Sequence, residues 1–168
     1  ECVILRPTLM FGWFDRKHLG WLSRFLRKSP IFPIPGNGKY LRQPLYVRDF
    51  CKIIISCIMN TNINGAFDIS GLERINYIDI IYQIKRAVKS RALVIKIPYR
   101  LFYILIKIWT IFDKKPPFTV HQLEALIIKE EFNIIDWPKI FKVQSTSHSE
   151  AINETFTHPT FSHVKLDF

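Results

Sequence analysis

Apolar positions along this chain follow two rhythms. Val3-Ile4-Leu5, Ala66-Phe67-Asp68-Ile69-Ser70 and Leu93 to Ile97 are short, dense runs that read as strands. Ile31-Phe32-Pro33-Ile34-Pro35 must also be extended, because its two prolines forbid helix. Helical spacing fills the intervals. His18 to Lys28 places Leu19, Leu22, Phe25 and Leu26 on one face, with Arg24, Arg27 and Lys28 off it, and Ser29-Pro30 stops it. Phe50 to about Met59 gathers Ile53, Ile54, Cys57 and Ile58 on an apolar face. Tyr77 to Lys89 turns Ile78, Ile81, Ile84 and Val88 inward and Lys85, Arg86 and Lys89 outward, with Asn76 and Asp79 placed to cap it. Tyr99 to Phe112 is apolar on nearly every side, which predicts a core helix.

The punctuation completes the pattern. Val3-Ile4-Leu5 reads as a strand covered on both faces, and Arg6-Pro7-Thr8 ends it. In an open α/β sheet that end of a strand is where ligands bind. Met10 to Asp15 is an aromatic loop, either packing or the wall of a pocket. The turn Gly36-Asn37-Gly38-Lys39 leads into Tyr40 to Val47, the expected central strand, which carries Arg42 and ends at Asp49 as a helix N-cap. Thr119 and Gln122 form a capping box for a helix running to about Glu131. Ile134 to Val143, with Trp137-Pro138, reads as irregular, Ser147 to Phe156 as a last helix and Thr157 onward as a tail. The chain opens inside a strand, so it is expected to be the C-terminal piece of a longer protein.

Composition narrows the classes. At 48% hydrophobic and 23% charged over 168 residues, the chain is neither disordered nor too small for a core. A net charge of +10 invites an anionic partner, but the cations are spread along the chain and no nucleic-acid motif accompanies them, so nucleic acid is not expected. Cys2, Cys51 and Cys57 have neither disulfide nor metal spacing and fit buried hydrophobes in a reducing, cytoplasmic setting. Lys96, Pro98, Arg100 and Lys107 interrupt the most apolar run, which argues against a membrane span. His18, His121, His148, His158 and His163 are isolated, so no metal site is expected. Ser145, Ser147 and His148 lie close together but read as solvated loop and cap groups.

Five segments, in this order, resemble the C-terminal half of an extended or atypical short-chain dehydrogenase/reductase. They are Ile4-Leu5-Arg6-Pro7-Thr8-Leu9-Met10-Phe11-Gly12, Phe32-Pro33-Ile34-Pro35-Gly36-Asn37-Gly38, Leu45-Tyr46-Val47-Arg48-Asp49, Phe67-Asp68-Ile69-Ser70-Gly71 and Pro116-Pro117-Phe118-Thr119-Val120-His121-Gln122. The branch resembled is the NAD(P)-dependent epimerase/dehydratase family, which includes nucleoside-diphosphate-sugar epimerases and the accessory NAD(P)-binding subunit of respiratory complex I. The resemblance implies an α/β fold: the C-terminal part of a Rossmann-type parallel sheet over residues 1–71, then a smaller, mostly helical substrate domain over 72–156 and a tail over 157–168.

It also implies roles. Pro7 and Thr8 fall where the family's backbone passes the nicotinamide of NAD or NADP. Arg42, seven residues before Asp49, falls where the sugar-nucleotide epimerases hold a diphosphate-gripping arginine. A guanidinium suits that task because its planar fork binds phosphate oxygens in pairs. The alternative is an arginine snorkelling from an exposed strand face. Phe11 and Tyr46 would line the substrate pocket, Tyr46 more by packing than by chemistry. The family's glycine-rich fingerprint is absent, and its Tyr-x-x-x-Lys occurs only as Tyr103 to Lys107, after the Arg-Pro strand instead of before it. The chain is therefore expected to hold a nucleotide-sugar-like substrate but no catalytic residue, with the cofactor held mainly by an N-terminal half outside this chain. The alternative is a non-catalytic NAD(P)-binding scaffold. Peripheral membrane contact, through the basic flanks of Tyr99 to Phe112, and homo-oligomer formation are further expectations left open.

Overall fold

The computed structural model describes residues 2–112, 120–128 and 132–164. The expected mixed α/β architecture is what it shows. In chain order the elements are β1 (Val3–Pro7), β2 (Met10–Phe11), α1 (Leu19–Lys28), β3 (Ile31–Pro35), β4 (Leu41–Arg42), β5 (Leu45–Tyr46), α2 (Val47–Met59), β6 (Gly65–Ile69), β7 (Ile75–Asn76), α3 (Tyr77–Ala87), β8 (Leu93–Ile97), α4 (Tyr99–Phe112), α5 (Val120–Ile127), α6 (Trp137–Phe141) and α7 (His148–Thr157), with a 3-10 turn at Phe161–His163. The capping box at Thr119 and the family-like segment from Pro116 fall partly outside the described residues.

The strands pair as β1–β6, β2–β5 and β3–β8, all parallel, and β4–β7, antiparallel. Parallel pairing needs a crossover, and helices supply it: α1 and α2 lie between β1 and β6, and α3 lies in the connection from β3 to β8. The turn before β4 works because Gly36 (φ 63°) and Gly38 (φ 72°) take left-handed conformations.

Two hydrophobic clusters hold the elements together, and both draw on residues before and after Gly71. The first joins α1 (Leu19, Leu22, Leu26), β3 (Phe32, Ile34), α3 (Ile78, Ile80, Ile81, Ile84) and α7 (Ala151, Ile152). The second joins Leu45, Ile53 and Ile69 to Trp137, Phe141 and Val143. α1 starts cleanly because the Asp15 carboxylate accepts from the backbone N–H groups of Lys17, His18 and Gly20, each at 3.0 Å.

Several expectations are corrected. The central strand is two short strands, β4 and β5, broken at Gln43-Pro44, because a proline has no N–H to offer a ladder. Met10–Phe11, expected in a loop, is strand β2. α2 begins at Val47 with Tyr46 as its N-cap, so Asp49 lies inside the first turn. The stretch read as irregular contains α6, started by the Asp136 side chain accepting from Lys139 N and closed by Lys142 at φ 54°. β1 is not covered on both faces: Ile4 is 53% exposed. Cys2 and Cys51 are exposed and only Cys57 is partly buried. α4 is the largest departure. Ile106 alone among its described side chains is buried, and Leu101, Ile104, Leu105, Ile108, Trp109 and Ile111 are exposed.

Candidate functional site

The C-terminal ends of β1 and β6 meet the link between β4 and β5 at one backbone carbonyl. The oxygen of Gln43 accepts from Thr8 Oγ1 at 3.3 Å and from Gly71 N at 3.4 Å. Thr8 N donates to Ile69 O at 2.9 Å, and Leu45 N donates to Leu9 O at 2.8 Å. Pro7-Thr8, Gln43-Pro44 and Ser70-Gly71 therefore form one floor at the strand ends, the place where open α/β sheets bind ligands. The close approach requires glycine at 71, since a Cβ there would lie 2.3 Å from Pro44 O.

The named side chains contact different helices. Arg42 is 5% exposed, which removes the snorkelling alternative. Its guanidinium donates to the carbonyls of Ala125 (3.3 Å), Leu126 and Ile128 (2.7 Å) and to Leu41 O (3.0 Å). It caps the negative C-terminal pole of α5, where a cation is stabilised by the helix dipole and the unpaired carbonyls. Beside it, burial holds the Tyr77 phenol well above its ordinary range, with the charge of Arg42 opposing.

Phe11 and Tyr46 contact α7, through His148 and Glu154. They are partners in the β2–β5 register, with ring centroids 5.5 Å apart. Tyr46 Oη donates to Glu154 Oε2 at 3.0 Å, and Arg48 pairs with the same carboxylate. Burial, and then the hydrogen bond to Glu154, push the Tyr46 phenol far above its usual range, so it stays protonated at neutral pH and serves as a strut. Sequence reasoning named residues on or beside four strands: Pro7 and Thr8 at the end of β1, Phe11 on β2, Arg42 on β4 and Tyr46 on β5. The floor brings together Pro7, Thr8 and Gln43, the residue after Arg42, while the side chains of Phe11 and Tyr46 contact α7.

Three residues were missed or misread. Gln43 is 1% exposed, and its side chain accepts from Phe132 N at 2.6 Å and donates to Gly71 O at 3.4 Å. Trp137 donates its indole N–H to Ser70 O at 3.0 Å. His148, expected in solvent, is 5% exposed, contacts the Phe11 ring at 5.2 Å and pairs through Nδ1 with Gln83 Oε1 at 2.6 Å. Its Nε2 has no partner among the described residues. No group of acidic, histidine or cysteine side chains among those residues is arranged to hold a metal ion. Tyr103 and Lys107 share a helix face, but the ammonium sits over the ring, 4.8 Å from its centre.

The His148 environment has a pH consequence. Burial lowers its pKa from 6.5 to about 4. The folded state then binds this proton less readily than the unfolded chain does. Its contribution to stability is complete above pH 6.5 and is lost as pH falls toward 4, up to about 3 kcal/mol. Urea denaturation of His148→Leu at pH 7.5, 6, 5 and 4 should show a shallower acid decline than the parent, and an unchanged decline would refute this source.

No protein-family model matches the chain. A solved UDP-N-acetylglucosamine 4-epimerase from Bacillus cereus matches over 92% of this chain and 47% of its own, with TM-score 0.65 and 14% identity. A GDP-L-fucose synthetase from Naegleria fowleri bound to NADP matches over 91% of this chain and 43% of its own, with TM-score 0.62 and 18% identity. The chain has the fold of the NAD(P)-dependent sugar epimerases and dehydratases. It spans less than half the length of these epimerase-fold structures. One sequence relative, the NADH dehydrogenase [ubiquinone] 1 alpha subcomplex subunit 9, mitochondrial, of Arabidopsis thaliana, is 30% identical over 73 residues, covering 42% of this chain and 18% of its own.

Proposed function

We propose that this chain is the C-terminal, substrate-binding part of an NAD(P)-dependent nucleoside-diphosphate-sugar epimerase/dehydratase-like oxidoreductase. The observation that carries the reading is the floor at Gln43 O, which sets Pro7 and Thr8 beside the strand bearing Arg42 at the ligand-binding end of the epimerase fold. Pro7 and Thr8 offer a ring and a hydroxyl but no cation. They suit the nicotinamide end of NAD or NADP and leave its phosphates to residues outside this chain. When bound, the dinucleotide would accept and return hydride at the sugar. The part played here is to wall the pocket and hold the substrate diphosphate.

Arg42 is the proposed clamp, and α5 its competitor. A diphosphate engages the guanidinium by displacing the carbonyls of Ala125, Leu126 and Ile128. Arg42→Lys tests the clamp. Lysine keeps a charge at the helix end but loses the planar fork. Calorimetric titration of the full protein with a UDP-sugar, well below its Tm, should then show affinity reduced about tenfold or more, with a lower Tm from the lost carbonyl bonds. Equal affinity would leave Arg42 as a helix cap and nothing more.

A second reading is a non-catalytic NAD(P)-binding scaffold or assembly subunit. The similarity to a subunit of an NADH dehydrogenase supports it, as does the engagement of Arg42 by backbone carbonyls. Turnover of a nucleotide sugar by the full protein favours the enzyme, and dinucleotide binding without turnover favours the scaffold.

A further inference from the structure

Six large apolar side chains of helix α4 are exposed: Leu101, Ile104, Leu105, Ile108, Trp109 and Ile111. Leu101, Ile104, Ile108 and Ile111, spaced to share one face, are 49%, 52%, 47% and 78% exposed. Arg100 and Lys107, seven residues apart and both exposed, run along one border of that stripe. From Arg91 to Phe112 the sequence holds four cations, Arg91, Lys96, Arg100 and Lys107, and no Asp or Glu.

The apolar surface does not stop at the helix. Under α4 lies a cavity of about 580 Å³ walled by Trp21, Phe25, Phe32, Phe102, Leu105 and Trp109. Its wall continues through Pro33, Pro35 and Ile97 onto the β3–β8 pair. Strand alternation puts Ile31, Leu93 and Ile95 on that same face, 45%, 63% and 41% exposed. Leu105, Ile108 and Trp109 belong both to the cavity wall and to the exposed surface, so the cavity opens where the helix is bare.

This lining suits neither a sugar nor a phosphate, whose polar groups would be desolvated against rings and aliphatic chains without hydrogen bonds in return. A hydrocarbon chain meets no such cost. No helix among the described residues is long and apolar enough to cross a bilayer. An apolar face bordered by cations, with no anion across the whole stretch, matches a helix that lies in the plane of an anionic membrane surface.

We propose that α4 and the β3–β8 face form a docking surface for an anionic phospholipid bilayer, with one acyl chain entering the cavity beneath α4. The cavity adjoins the Arg42 side chain through Tyr77 and Leu126, which also line it, but the proposal does not depend on the nucleotide-sugar reading.

Co-sedimentation of the full protein with phosphatidylcholine vesicles, plain or containing one-third phosphatidylserine, tests it. The protein should sediment with the serine-containing vesicles, be released as salt rises, and bind plain vesicles at least tenfold more weakly. Arg100→Glu with Lys107→Glu should lower binding tenfold or more. Ile104→Glu and Ile111→Glu, both at exposed positions, should do the same with circular dichroism and Tm unchanged. Acyl chains brominated along their length should quench Trp21 and Trp109, whose rings wall the cavity. Sedimentation with neither vesicle, equal binding to both, or undiminished binding of the Ile104 and Ile111 variants would overturn the docking surface. Undiminished tryptophan fluorescence on binding would overturn the entry of a chain.

Discussion

Trp137→Ala is expected to lower folding stability by about 3–5 kcal/mol, the usual range for deleting a buried large aromatic side chain. Trp137 is 2% exposed in the cluster of Leu45, Ile53, Ile69, Phe141 and Val143. Truncation leaves a hole that helix α2 and strand β6 cannot easily fill, because Ile53 and Ile69 are each fully buried against other neighbours. It also removes the indole N–H from Ser70 O. Urea denaturation should show a lower midpoint with an unchanged slope. Trp137→Phe should recover most of the packing and retain a loss of about 1 kcal/mol for the missing hydrogen bond. An alanine variant within 1 kcal/mol of the parent would mean that the cluster does not hold the strand end. Ser70 leads into Gly71, so the same variant should also disturb the floor at Gln43.

Asp49→Ala is the second large effect, expected at about 4 kcal/mol. The Asp49 carboxylate is 2% exposed and accepts three bonds: from Thr146 N at 2.7 Å, Thr146 Oγ1 at 2.9 Å and Lys52 Nζ at 2.8 Å. These bonds tie α2 to the segment that leads into α7. Without the carboxylate, the Thr146 N–H loses its acceptor and the Lys52 ammonium loses its counter-charge. Asp49→Asn keeps one oxygen acceptor and should lose roughly half as much. Hydrogen exchange gives the direct readout: protection of the Thr146 amide should collapse in the alanine variant. If it persists, the Asp49 bonds are not what holds the segment that leads into α7.

Much of this was legible beforehand. The apolar faces of α1 and α3 are buried as their spacing requires, and β3, β6 and β8 are extended where prolines and dense apolar runs put them. Pro44 was an available signal for the break between β4 and β5. Asp136 and Pro138 were available signals for α6, whose five residues are too few to show a period. The residues named for the site lie on or beside β1, β2, β4 and β5, and the directions of Arg42 and Tyr46 were not deducible. Each depends on a helix far along the chain: α5 supplies the carbonyls that Arg42 caps, and α7 supplies the Glu154 that Tyr46 contacts.

Local spacing by itself determined most of the longer elements, because a helix or strand face is set by the next few residues. It also carried the resemblance to the epimerase fold, because short motifs in order survive when overall identity does not. What only the tertiary structure decided is which faces are covered. Tyr99 to Phe112 has the composition of a core helix, but burial depends on what packs against it, and six of its large apolar side chains stay exposed. The same holds for His148. One step from a helix cap and polar by type, it is buried because α3 and Phe11 close over it. Hydrophobicity states what a residue gains from burial, and the rest of the chain decides whether burial happens.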